Sequence, residues 1–188
     1  MRTSPHLDHS HYLVTALWAL IFAKCFFFEY LICNYAIPVN SALFIWSLSL
    51  LMSTVATIVY FSVQNGGKAL HTIYHSLGKT WSVCGLIIGF ISSGAYFINS
   101  IPTTILPACI ALILSLGNVV QSIQIRKFRF VFSALGWSLC AASALLSQPP
   151  LHLLIFALSL TLFTAAPYYF LYRTRRLEIY RALRALNT

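Results

Sequence analysis

Apolar stretches of membrane-spanning length alternate along this chain with short polar or proline-bearing breaks. Six are marked at 12–33, 41–63, 81–98, 102–125, 130–146 and 151–172. A helix needs about 20 apolar residues to cross the hydrocarbon of a bilayer. Lipid offers no partner to an exposed backbone N–H or C=O, so each stretch is predicted to be α-helical. The pattern therefore predicts an all-α integral membrane protein: one bundle domain of six transmembrane helices, paired as three hairpins.

The last two hairpins share a spacing. Pro149 lies 47 positions after Pro102, and the same offset pairs Gly89 with Gly136, Ala95 with Ala142, Ser100 with Ser147, Arg126 with Arg173 and Arg129 with Arg176. Each copy reads as a small-residue helix, a Ser/Pro turn, an apolar helix and a basic stop, which predicts an internal repeat. The first hairpin has the same outline around Pro38 without a matching register.

Two segments have a different period. In 68–79, Leu70, Ile73, Tyr74 and Leu77 fall on one helical face; in 173–186, Ile179, Leu183 and Leu186 oppose Arg173, Arg176, Arg181 and Arg184. Both are predicted to be amphipathic interfacial helices that lie on a lipid surface or dock a partner.

Composition agrees with a bilayer as solvent, since 59% of the 188 residues are hydrophobic and only 8% are charged. The net charge of +9 gains meaning from its position. Lys68 and Lys79 sit between the second and third stretches, and Arg126, Lys127 and Arg129 between the fourth and fifth. Arg173, Arg175, Arg176, Arg181 and Arg184 follow the sixth, while the intervening turns carry no Lys or Arg. This alternation predicts both termini and the basic loops on the cytoplasmic side, with Lys68, Lys79, Arg126, Lys127, Arg129, Arg173, Arg176, Arg181 and Arg184 on anionic lipid headgroups. Nucleic acid is excluded as a partner because the positive charge is spent on orientation. The first stretch is longer than a signal-peptide core and lacks a small-residue cleavage site, so it reads as a retained span.

Polar residues inside the apolar stretches are the candidates for ligand or partner contact. Lys24 falls near the middle of the first, where a charge costs about 2.5–3.5 kcal/mol on insertion scales. It calls for an anionic ligand, lipid or partner, or for an ion pair or snorkelling to the interface. Glu29 follows five positions later, about 140° around a helix, so the two do not share a face. Asn118 and Gln121 are spaced to bond across a helix interface or to line a cavity. Gly85, Gly89 and Ser93 make a small-residue surface suited to close helix packing. Pro167 should kink the last helix.

Catalytic and metal chemistry finds little support. The acids are Asp8, Glu29 and Glu178 alone, too few for a carboxylate-rich active site. Ser93 with His152 is a poor match to an intramembrane serine protease. His71 and His75 have the spacing of two metal ligands on one face but no third ligand nearby, and His6, Asp8, His9 and His11 form a cluster ahead of the first span. Cys25, Cys33, Cys84, Cys109 and Cys140 contain no C-x-x-C pair and read as small core residues. No enzyme activity, cofactor or resident metal is expected.

The punctuation Trp81-x-x-x-Gly85-x-x-x-Gly89, then Pro102, Gly117, Gly136 and Pro149, resembles the HdeD-like family of small six-helix bacterial membrane proteins over residues 80–176. The first hairpin, the insert from Gln64 to Thr80 and Lys24 depart from that pattern. The resemblance implies a helix bundle of the bacterial inner membrane linked to envelope stress, with no catalytic residues to transfer. Size and topology also suit the substrate-binding subunit of an energy-coupling-factor vitamin transporter, for which Ala19 and Ala23 supply an A-x-x-x-A docking face. The expectation is a non-enzymatic membrane component that forms a homo-oligomer or binds a protein partner, with binding or transport of a small molecule as the alternative.

Overall fold

The computed structural model describes residues 7–35, 40–65, 77–98, 105–126 and 128–186. Every described element is helical: α1 (Leu7–Asn34), α2 (Asn40–Asn65), α3 (Leu77–Ile98), α4 (Leu106–Ile125), α5 (Arg129–Leu146), α6 (Leu151–Ser159), a π-helical turn (Leu160–Ala165) and α7 (Ala166–Leu186). Four segments are long and apolar enough to cross a membrane: Tyr12–Asn34, Leu106–Gln124, Arg129–Leu146 and Leu151–Glu178. Within α2, Phe44–Tyr60 forms a shorter apolar helix. The protein is an all-helical membrane protein on these grounds.

The helices keep the predicted segmentation with three differences. First, α3 starts at Leu77, so the end of the expected interfacial segment 68–79 belongs to this long helix; the rest of that segment, with Lys68, His71 and His75, lies outside the described residues, as does Lys127. Second, α7 continues unbroken from Ala166 to Leu186, and the basic tail extends the last apolar helix rather than forming a separate element. No Pro or Gly interrupts 168–186, so the backbone hydrogen-bond ladder has no reason to stop. Third, α1 starts at Leu7, which puts Asp8, His9 and His11 on its first turns instead of in a segment ahead of it.

The disturbance expected at Pro167 takes the form of the π-helical turn just before it. Pro167 has no N–H to give to the carbonyl of Phe163 four residues back. The ladder shifts register ahead of it, and the Ala166 N–H bonds the Thr161 carbonyl five residues back. Arg126 closes α4 in the left-handed conformation, φ 54°, a position that usually favours glycine.

Packing is uneven. The broadest contact joins α4 to α5, and α1 lies along α6, the π-turn and α7. By comparison α2 leans on α1, and α3 on α4. Small residues permit the close approaches at the centre: Ala16, Ala19 and Ala23 on α1, Ala108 and Ala111 on α4, and Ala134, Ala141 and Ala144 on α5 are all buried. Aromatic rings fill what remains. Trp46, Phe26, Phe156 and Trp137 link α2, α1, α6 and α5 through successive ring contacts of 5.1–5.6 Å.

Outer surfaces carry Leu17, Leu20, Leu86, Phe90, Leu116, Ile123, Leu139 and Leu146, all exposed. In water such a surface would be a large aggregation-prone patch, whereas lipid tails solvate it without cost.

Candidate functional site

The interior of the bundle holds the two amides singled out in the sequence. Asn118 and Gln121 are both completely buried. Their direction follows from the turn of α4, at about 100° per residue. Ser115 faces α5, where its hydroxyl donates to the Ala134 carbonyl at 2.8 Å and meets the Ser138 hydroxyl at 3.0 Å. Gly117 faces α3: a Cβ there would stand 2.9 Å from Cys84 Sγ and 3.7 Å from the Trp81 ring. Asn118 and Gln121 lie on the arc between those two directions. The opposite arc carries the exposed Leu112, Leu116, Val119, Val120 and Ile123. The amides therefore point inward, away from lipid.

Their hydrogen bonding is incomplete. Asn118 Nδ2 donates to the Leu114 carbonyl one turn back at 2.8 Å. Asn118 Oδ1, Gln121 Oε1 and Gln121 Nε2 have no partner among the described residues. A buried polar atom left unpaired costs about 1–3 kcal/mol, so three on one helix turn are a costly arrangement.

Other polar groups in the interior are satisfied. Tyr168 is fully buried beside Tyr12 and Phe130, and its hydroxyl accepts the Trp81 indole N–H at 2.8 Å. Trp137 donates its indole N–H to Thr164 Oγ1 at 3.0 Å. These aromatic polar contacts were not read from the sequence, although Trp and Tyr within apolar helices signal them, because a buried indole or phenol must find a partner.

Lys24 is elsewhere. It is exposed on the outer face of α1, on the same side as Leu17, Leu20, Phe27 and Phe28. The apolar run Tyr12–Asn34 extends about 18 Å to one side of it and about 15 Å to the other, further than a lysine stem reaches. Among the described residues it has no hydrogen bond or ion pair. An internal ion pair, one of the two structural explanations open in the sequence, is thus not what holds it.

Glu29 is separate from Lys24. Its Oε2 accepts the Trp46 indole N–H at 3.0 Å. The structure brings Glu29 together with Trp46 of α2 and leaves Lys24 apart.

An apolar cleft of about 420 Å³ opens between α1 and α2, walled by Leu17, Trp18 and Ile21 on one side and Met52, Ala56 and Tyr60 on the other. The Trp18 indole N–H crosses it to Thr57 Oγ1 at 3.0 Å.

Of the helix-packing residues, Gly85 and Gly89 are exposed with nothing within 4 Å of where a side chain would begin; the side chains of Ser93 and Lys79 are not among those described. Arg126, Arg129, Arg173, Arg176, Arg181 and Arg184 are all exposed. Cys25, Cys84 and Cys140 are buried as small core residues, but Cys33 is exposed and Cys109 half-buried. No group of three or more metal-ligating side chains occurs among the described residues. Comparison of the chain with protein-family models, with curated proteins and with solved structures gives no significant match.

Proposed function

We propose that this protein is a non-enzymatic multi-pass membrane component that works bound to a partner protein or to further copies of itself. The observation that carries the reading is Lys24: a cation exposed at mid-span on the outer face of α1, with no partner among the described residues. Charged groups at that depth pair with one another or face a polar path. Against lipid tails Lys24 has neither, so a neighbouring molecule covers it. The exposed Gly85 and Gly89 of α3 offer a second surface where a helix can approach closely.

The finer topology belongs to the same proposal. Six spans as three hairpins, the last two a repeat, place the basic loops and both termini in the cytoplasm of a bacterium, with the protein in its inner membrane. The exposed arginines at the end of α4 and along α7 support that orientation and fit anionic headgroups. The HdeD-like resemblance adds a role in envelope stress to the proposal. Small-solute binding, as in a vitamin-transporter subunit, is the alternative, and the buried amides Asn118 and Gln121 favour it.

Native mass spectrometry after extraction in mild detergent tests the reading. A homo-oligomer or a stoichiometric protein partner, lost on Lys24→Met, is expected. A monomer carrying a stoichiometric metabolite would replace this reading by the alternative.

A further inference from the structure

We propose that Asn118 and Gln121 form an internal binding site for an uncharged group that both donates and accepts hydrogen bonds: water, or the hydroxyl or amide of a small solute. The inference is independent of the partner-bound reading, which rests on Lys24 on the outer face of α1.

Both residues are completely buried and turned toward the bundle interior. Residues three apart on a helix are neighbours, so a single small molecule reaches both amides. Their free atoms define what it must be. Asn118 Oδ1 and Gln121 Oε1 accept, and Gln121 Nε2 donates. A purely apolar occupant leaves all three unpaired. An ion fits no better, because no buried residue of the described chain carries a charge to neutralise it, and a lone ion in such surroundings is strongly disfavoured. A neutral donor and acceptor satisfies the set.

Among the described residues the other buried polar groups give no competing explanation: Ser115, Tyr168 and Trp137 already have partners of their own. Had the interior needed only volume, Leu or Met would fill it without leaving polar atoms unpaired. Buried waters that bridge such atoms are regular constituents of protein interiors.

Solid-state NMR on the full chain in lipid nanodiscs, labelled with 15N in its glutamine side chains, reads the site directly. The glutamines are Gln64, Gln121, Gln124 and Gln148, and the Gln121 signal is assigned by its loss in Gln121→Met. Magnetisation transferred from water is expected to reach the Gln121 amide as readily as that of exposed Gln148, and to be lost in Asn118→Leu. If a solute occupies the site, Gln121 is dry and native mass spectrometry instead shows a bound metabolite that Gln121→Met releases. A dry Gln121 with no retained metabolite overturns the proposal. The measurement on the unsubstituted protein decides this even if neither variant folds.

Discussion

Gly89 and Gly136 occupy matching positions at the 47-residue offset, yet the structure treats them in opposite ways. A side chain at Gly136 would collide with the ring of Phe163 in the π-turn, whereas one at Gly89 would meet nothing within 4 Å. The helices around them differ equally. Along α5, Phe130, Ser133, Ala134, Trp137, Cys140, Ala141 and Ala144 are buried as a continuous face. On α3, Cys84 is buried among the described side chains while Val83, Leu86, Ile87 and Phe90 are exposed. Glycine spacing alone therefore does not say which helix is central. What distinguishes α5 is that small residues recur at every turn of one face, leaving room for Phe163 against Gly136.

The largest test of this contrast is Gly136→Leu. Phe163 is half-buried against the central cluster, and the near edge of its ring stands where the added side chain would begin, so the ring or the backbone behind it must move. Overpacking of this kind costs about 1–3 kcal/mol; a loss toward the upper end of that range is expected in SDS-induced unfolding followed by tryptophan fluorescence. An unfolding curve that stays at its wild-type position would show that the π-turn yields, and the contrast with Gly89 would collapse.

A smaller effect is expected where α3 is tied to the rest. The indole N–H of Trp81 donates to the Tyr168 hydroxyl and ties α3 to the buried aromatic cluster. Trp81→Phe keeps most of the ring and removes the donor. Interhelical hydrogen bonds in membranes contribute about 0.6 kcal/mol on average, up to about 1.7, and burial of the Tyr168 hydroxyl puts this one toward the upper end. Trp137→Phe, which removes the bond to Thr164 in the centre of the bundle, sets the scale. If loosening α3 costs as much as loosening α5, then α3 is no peripheral helix.

The contrast also marks what sequence reasoning reaches. Apolar stretches became helices because lipid leaves the backbone no alternative, and this holds for α1, α2, α4 and α5 to within a few residues. Asn118, Gln121 and Lys24 stood out because polar groups are rare in such stretches. Their directions did not, since which side of a helix faces inward depends on the neighbouring helices. Lys24 on the outside and both amides on the inside are outcomes of packing. The π-turn follows from the same limit: Pro167 announces a missing hydrogen bond, but only the fit of Phe163 against Gly136 shows where the ladder adjusts. Where an amphipathic segment joins a span without Pro or Gly, as from 172 to 173, composition suggests a boundary that the backbone does not make.

Gly89→Leu is the smallest expected change and the most informative counterpart to Gly136→Leu. Nothing within the chain stands where its side chain would go, and leucine is the better helix former by less than about 1 kcal/mol. The unfolding curve of dilute protein in detergent should thus move by no more than about 0.5 kcal/mol, as for surface substitutions generally, and toward greater stability. Assembly is a separate readout. If the Gly85 and Gly89 face receives a helix of a second copy or a partner, a leucine there holds the backbones apart, and the oligomer seen by native mass spectrometry weakens while the monomer's stability does not. Loss of monomer stability would mean that α3 packs its glycines inside the chain; unchanged assembly would remove α3 from the interface and leave the outer face of α1, with Lys24, to carry it.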